Sequence, residues 1–267
     1  MIEKLKSETL SHRDRLRIGR ELAELGDPRP GVGLRPDGLP DIVWIPIPGG
    51  RITLEEVDHV FKVKPFRMAK YLVTNSQFEA FLTADGGYKN KEWWNGIARI
   101  GAAHTPSWPE ANAPRESVSW FEAVAFCRWL SQKTRSTIRL PFEWEWQQAA
   151  TGGDPRCEYP WAGWDEVRCN SDKSLLRRTT AVGMYPRGAT KQGVMDMAGN
   201  LWEWCLNRDG NPAAPESRDI NNTGGRRVLR GGSWKGRPVD LRVSNRSWNN
   251  ADFQFGGIGF RLVQDIP

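Results

Sequence analysis

The sequence predicts an α+β fold that is rich in loops, with two main helices and a small, mostly antiparallel sheet. Three observations carry this expectation. Two segments in the first half open with capping-box spacing, and helical periodicity fades after residue 150. The 267 residues also include 14 Trp, 27 Gly and 18 Pro, a composition suited to turns and loops packed by large flat side chains.

Along the chain, Leu10, Ile18, Leu22 and Leu25 fall near a helical period, and Gly26 followed by Pro28 reads as a stop. The Gly- and Pro-dense stretch that follows is an extended connector, so residues 1–40 are read as a helix plus linker ahead of a domain at 41–267. Residues 42–45 and 57–66 have strand character, with a turn at Gly49 and Gly50 between them. Thr74 with Gln77 opens a helix whose apolar face is Phe78, Phe81 and Leu82. Ser119 with Glu122 repeats the device ahead of Ala123, Phe126, Cys127 and Leu130, at i, i+3, i+4 and i+7. Late strands are expected at Val228 and Leu229 and at residues 258–263.

Composition narrows the function classes. Lys and Arg number 38 against 32 Asp and Glu, but they are spread along the chain, which argues against specific nucleic-acid binding. No apolar run approaches the roughly 20 residues of a membrane-spanning helix, so membrane insertion is not expected. The charged N-terminus lacks the apolar stretch of a secretory signal and reads as cytoplasmic. Cys127, Cys157, Cys169 and Cys205 form no CxxC pair and are read as structural thiols; Cys157 and Cys169 flank a short segment and could pair, but the chain length and the missing secretory signal argue against an oxidised framework. His12, His59 and His104 are not spaced as metal ligands, and Glu143 and Glu145, two apart, do not face each other on a helix.

Three strings go beyond composition: SVSWFEAVAFCRWLS with IRLPFEWEW behind it, GVMDMAGNLWEW, and RVLRGGSW followed by RVSNRSW and GFRLV. In this order they resemble the formylglycine-generating-enzyme (sulfatase-modifying-factor) family over residues 42–263, which implies a C-type-lectin-like fold. In GNLWEW, Gly199 suits a positive φ and Trp202 and Trp204 alternate as in a strand. That segment is a turn into a buried strand or, as the resemblance implies, a loop for structural calcium with Asn200 and Glu203 as oxygen ligands. No other cofactor is expected. A second calcium loop of the family would align with residues 170–185, where Arg177 and Arg178 stand instead of acids. Arg242, Arg246 and Arg261 are expected to pair with carboxylates such as Glu203 and hold the scaffold.

Family members that oxidise a sulfatase cysteine carry two copper-binding cysteines just after the GGS motif. Here residues 235–241 contain none, so the expectation is a chain that is not an enzyme. An iron site of two His and a carboxylate, as in ergothioneine-type sulfoxide synthases, lacks a closely spaced His pair. An inactive homologue with a docking role is the alternative.

The tail at about 227–263 also resembles the variable region of proteins diversified by retroelements, in which template adenines are replaced at random while adenine-poor codons hold the fold. Its varied-looking positions are Gly236, Arg237, Val239, Asp240, Val243, Ser247, Asn249, Asn250, Phe253, Phe255, Gly256 and Gly257. Adenine replacement in AAC or AAT cannot give Lys or Gln, which sets Lys235 and Gln254 aside. The resemblance implies that the twelve residues form one solvent-facing patch for a ligand, expected to be a protein. Arg230, Trp234, Arg242, Arg246, Trp248, Phe260 and Arg261 would support it from behind.

Overall fold

Residues 1–220 and 225–266 are described by the computed structural model of the chain. Pro267, the last residue of the expected domain, lies outside the described residues. Helix α1 (His12–Leu25) begins at Ser11, whose hydroxyl accepts from the Asp14 N–H, and ends where Gly26 takes φ +81°. Its apolar stripe of Ile18 and Leu22 packs against Ala181, Met184 and Tyr185. Arg15 is buried beneath it and donates to the carbonyls of Leu5, Ser7 and Met184. The connector is pinned as well as extended: Gln77 donates to the carbonyls of Gly31 and Asp41, and Thr74 to that of Val32.

Two four-stranded sheets and one hairpin follow. Strands β1 (Trp44–Ile47), β4 (Phe66–Ala69), β5 (Ile138–Arg139) and β10 (Val263–Asp265) lie in the order β1-β4-β10-β5. Strands β2 (Gly50–Thr53) and β3 (Val60–Val63) form the hairpin. Strands β6 (Trp202–Arg208), β7 (Arg226–Arg230), β8 (Arg246–Asn250) and β9 (Ile258–Gly259) lie in the order β8-β7-β6-β9. Among the described residues every strand pairing is antiparallel except β6 with β9. The expected single strand at 57–66 is broken because Pro65, which has no N–H for a ladder, separates β3 from β4. Gly50 opens β2 instead of completing a turn.

Both capping boxes form, opening α2 (Asn75–Thr83) and α3 (Trp120–Thr134). Helix α3 is apolar nearly all round and runs through the core, where Phe126 meets Phe78, Phe81, Trp129 and Phe260 at centroid distances of 5.5–5.8 Å. Cys127 is part of this core. Helix α4 (Glu143–Thr151) adds to the two main helices expected. It is buried on every side, so its sequence carries no amphipathic stripe. The four cysteines are free, and Cys157 and Cys169 do not pair.

Candidate ligand-display face

The final forty residues are built on a buried polar frame. Glu203 on β6 lies opposite Arg230 on β7 and beside Gly259 on β9. Its carboxylate accepts from Arg261 Nε at 2.6 Å and Nη2 at 2.7 Å, and from Trp146 Nε1 at 3.0 Å; both charged side chains are fully buried. Arg261 also donates to the Met195 carbonyl at 2.9 Å. Arg230 donates to the carbonyls of Ser244 and Val243 and to Gln147, which holds the chain where it leaves the sheet. Arg246 joins Glu143 and Asp209 at 2.7 Å each, and Arg242 pairs with Glu158 at 2.7 Å. Glu145 closes the cap of α4 and pairs with Arg139, so Glu143 and Glu145 serve different partners.

Glycines set the two sharp turns of this frame. Gly199 has φ +80°, and a Cβ there would lie 2.3 Å from the Asn170 carbonyl oxygen. Gly231 and Gly232, at φ +95° and +72°, let the chain leave β7 beneath Trp146 and Leu241.

Two loops project from the frame. In the first, Arg237 and Val239 are exposed, and half-buried Asp240 caps a short turn by accepting from the Arg237 N–H at 2.9 Å. In the second, Asn250, Phe253 and Phe255 are exposed and Gly256 is half-buried, with the two rings 6.1 Å apart. Ser247 and Asn249 are half-buried on β8, paired with Leu229 and Arg227 of β7.

Three of the twelve expected surface residues are interior. Val243 belongs to the hydrophobic core at 2% exposure. Gly236 is buried because its turn lies on Leu241, whose Cδ1 would meet an added Cβ at 2.3 Å. Gly257 is buried against the Phe255 ring, and its carbonyl accepts from the Trp202 N–H. A mixture of small and polar residues does not reveal which of them the turns fold inward. Among the expected supports, Arg230, Phe260 and Arg261 are buried and Arg242 and Arg246 are paired. Trp248 is instead 46% exposed, with the Arg226 guanidinium 3.6 Å from its ring centroid.

The structure adds residues that sequence patterning missed. The Lys235 ammonium lies 4.7 Å from the ring centroids of both Trp234 and Phe255, joining the two loops. Half-buried Trp234 donates to the Gly256 carbonyl and meets Trp108 edge-on at 5.3 Å. Trp108 comes from a loop more than a hundred residues earlier, and its local pattern gives no sign of this contact. Gln254 donates to Glu122 at 2.7 Å and so ties the second loop to the cap of α3.

The same geometry gives both expected calcium ligands protein partners. The Asn200 amide oxygen accepts from Asn170 and from the Thr180 N–H, whereas Glu203 is spent on Arg261 and Trp146. The two side chains therefore serve separate protein partners. Burial pushes the thiols of Cys127, Cys157, Cys169 and Cys205 above their ordinary range. The histidines are scattered: His12 bonds Tyr185, His59 packs on Phe61, and His104 offers its carbonyl to Arg115.

The profile of the sulfatase-modifying factor enzyme 1-like domain matches residues 35–266. The chain belongs to this family. It is 32% identical over 250 residues to the hercynine oxygenase of Mycobacterium tuberculosis, covering 79% of this chain and 55% of that protein. It is 30% identical over 263 residues to the formylglycine-generating enzyme of Streptomyces coelicolor, covering 78% of this chain and 80% of the other. The chain thus spans little more than half the length of the mycobacterial relative. The solved structure of Treponema denticola variable protein 1 superposes with a TM-score of 0.64 at 20% identity, covering 84% of this chain and 95% of the other, and shares the C-type-lectin-like fold of the family. These relatives correct the expectation that the chain is not an enzyme, because family members of clear sequence similarity are named as enzymes. The missing cysteine pair bears on one copper site, not on activity as such. Among the described residues, no helix is long and apolar enough to cross a membrane.

Proposed function

We propose that this family member binds a ligand, expected to be a protein, through the loops that carry Arg237, Val239, Asp240, Asn250, Phe253, Phe255 and Gly256, with Ser247 and Asn249 beside them on β8. We further propose that retroelement-type mutagenesis varies these positions. The observation that carries the reading is the exposure of large apolar side chains on a rigidly supported segment: Val239 is 48% exposed, Phe253 40% and Phe255 42%. Exposed aromatic anchors flanked by small and polar residues suit a recognition surface, and the fold shared with a variable protein supports the same use.

The test is a library randomised at these nine positions, scored for folding, alongside sequencing of the locus in several isolates. The library is expected to stay folded, and isolates are expected to differ at adenine-derived codons in this segment. Differences scattered evenly over the chain, or a library that folds no better than one randomised at Arg230, Phe260 and Arg261, would sink the reading.

The identity to the mycobacterial hercynine oxygenase favours a second reading, oxygenase-type chemistry by this domain. Mass-spectrometric detection of oxygen incorporation into hercynine with iron, thiol and O₂ supplied would support it. Absence of product under those conditions would remove it.

A further inference from the structure

A cleft of about 510 Å³ lies away from the display loops, between the β3–β4 turn, the start of α4 and the end of β10. We propose that it binds a small polyphosphate, inorganic or organic, with at least two phosphate groups. Its volume falls within the range of small-molecule sites.

One wall is rigid and carries a single net negative charge, which the cations of the rest of the lining outnumber. Arg139 makes two 2.7 Å contacts to the Glu145 carboxylate and a third to Asp265, so both acids that line the cleft are spent on a single arginine. Beneath it Phe142, Trp144 and Phe61 stack almost parallel, with centroids 4.6 and 4.7 Å apart. Arg139 covers the outer Phe142 ring at 5.2 Å, so the stack is closed and forms a floor with no slot for a ligand ring.

The remaining charge is positive. Lys62 in β3 and Lys64 just beyond its end both line the cleft and are exposed. Arg218 reaches in from the other side with its guanidinium 5.3 Å from the Trp144 centroid. Among the described residues none of these three makes an ion pair with a carboxylate. Directly opposite Lys62 in the β2–β3 register stands Arg51, another cation. Like charges facing across a strand pair oppose folding, and a bound anion reverses that repulsion. Two ammonium groups acting as point charges, with one guanidinium able to grip two oxygens, match the several oxygens of linked phosphates.

Isothermal titration of the protein at low ionic strength with phosphate, pyrophosphate and tripolyphosphate tests the proposal, with citrate as a carboxylate comparison. Saturable one-to-one binding is expected, tightening from phosphate to tripolyphosphate and at least tenfold weaker in the Lys62→Gln/Lys64→Gln variant. Arg218→Gln alone should weaken it several-fold, which keeps the test open if the double variant folds poorly. Lys89→Gln/Lys91→Gln, an equally spaced exposed pair elsewhere, should bind as the parent does. No saturable binding, equal loss in the control pair, tighter binding of citrate than of tripolyphosphate, or binding only of long polyanions such as heparin would overturn it.

Discussion

Glu203 and Phe255 sit at the two extremes of one construction. Glu203 is fully buried and spends its carboxylate on Arg261 and Trp146. Phe255 is 42% exposed, and its ring meets Phe253 and the Lys235 ammonium. The frame around Glu203 is held by directional bonds between charged groups that water cannot replace, so each member depends on the others. The loops around Phe255 are anchored mostly through backbone: the Phe255 carbonyl accepts from the N–H groups of Ser117 and Ile258, and the Asn250 carbonyl from that of Phe253. Loops held by their main chain leave their side chains free to differ.

That contrast can be broken most directly at the buried pair. Arg261→Ala should cost about 3–5 kcal/mol, because it strands the Glu203 charge in the interior. Urea denaturation would measure it. A Glu203→Leu/Arg261→Met variant should lose less than Arg261→Ala, since removing both charges leaves none unpaired; an equal or larger loss would show that packing, not charge, dominates the frame.

Within the display segment, Gly236→Ser and Arg237→Ser place the same residue at neighbouring positions. The first should cost about 1–3 kcal/mol through overpacking against Leu241, and the second should stay within about 0.5 kcal/mol. Equal melting temperatures would erase the boundary drawn between interior and exposed positions of the loop.

A pH titration sharpens the frame side of the comparison. Burial raises the Asp196 carboxyl to about 6, against which the Gly183 N–H and the nearby Arg261 give only partial relief. Its folded value lies above its unfolded one, so the folded state takes up a proton first as pH falls from about 6 to about 4. Asp196 therefore opposes folding above pH 6, and that opposition is relieved towards pH 4. Asp196→Asn should be more stable than the parent at pH 7 by about 1–3 kcal/mol, with the gap closing by pH 4. A gap independent of pH would assign the gain to something other than ionisation.

The smallest effect on stability is expected at the surface. Phe255→Ala should change it by no more than about 0.5 kcal/mol while weakening a bound protein ligand at least tenfold. Surface plasmon resonance against a protein that binds the parent chain measures the second quantity. An unaltered affinity would take Phe255 out of the binding face.

Local patterns were legible in the sequence. The boxes at Thr74 and Ser119 involve residues three apart, so spacing alone identified both helix starts. The Gly26 stop and the turn at Gly199 were legible for the same reason, since a left-handed φ favours one residue type. The pairing of Arg242, Arg246 and Arg261 with acids followed from the cost of leaving arginine charge unpaired, although only Arg261 chose Glu203.

What the sequence by itself determined is therefore the local grammar and the family: capped helices, positive-φ turns, a C-terminal segment of mixed texture, and motifs in the family's order. The tertiary structure decided which of those residues face water. Gly236, Val243 and Gly257 are folded inward by Leu241, the β-sheet core and the Phe255 ring, while Trp108 is brought to Trp234 across more than a hundred residues of chain and Lys235 reaches the Phe255 ring of the other loop. Burial and long-range contact depend on how distant elements fill space, and a pattern of neighbours three or four residues apart carries no record of that.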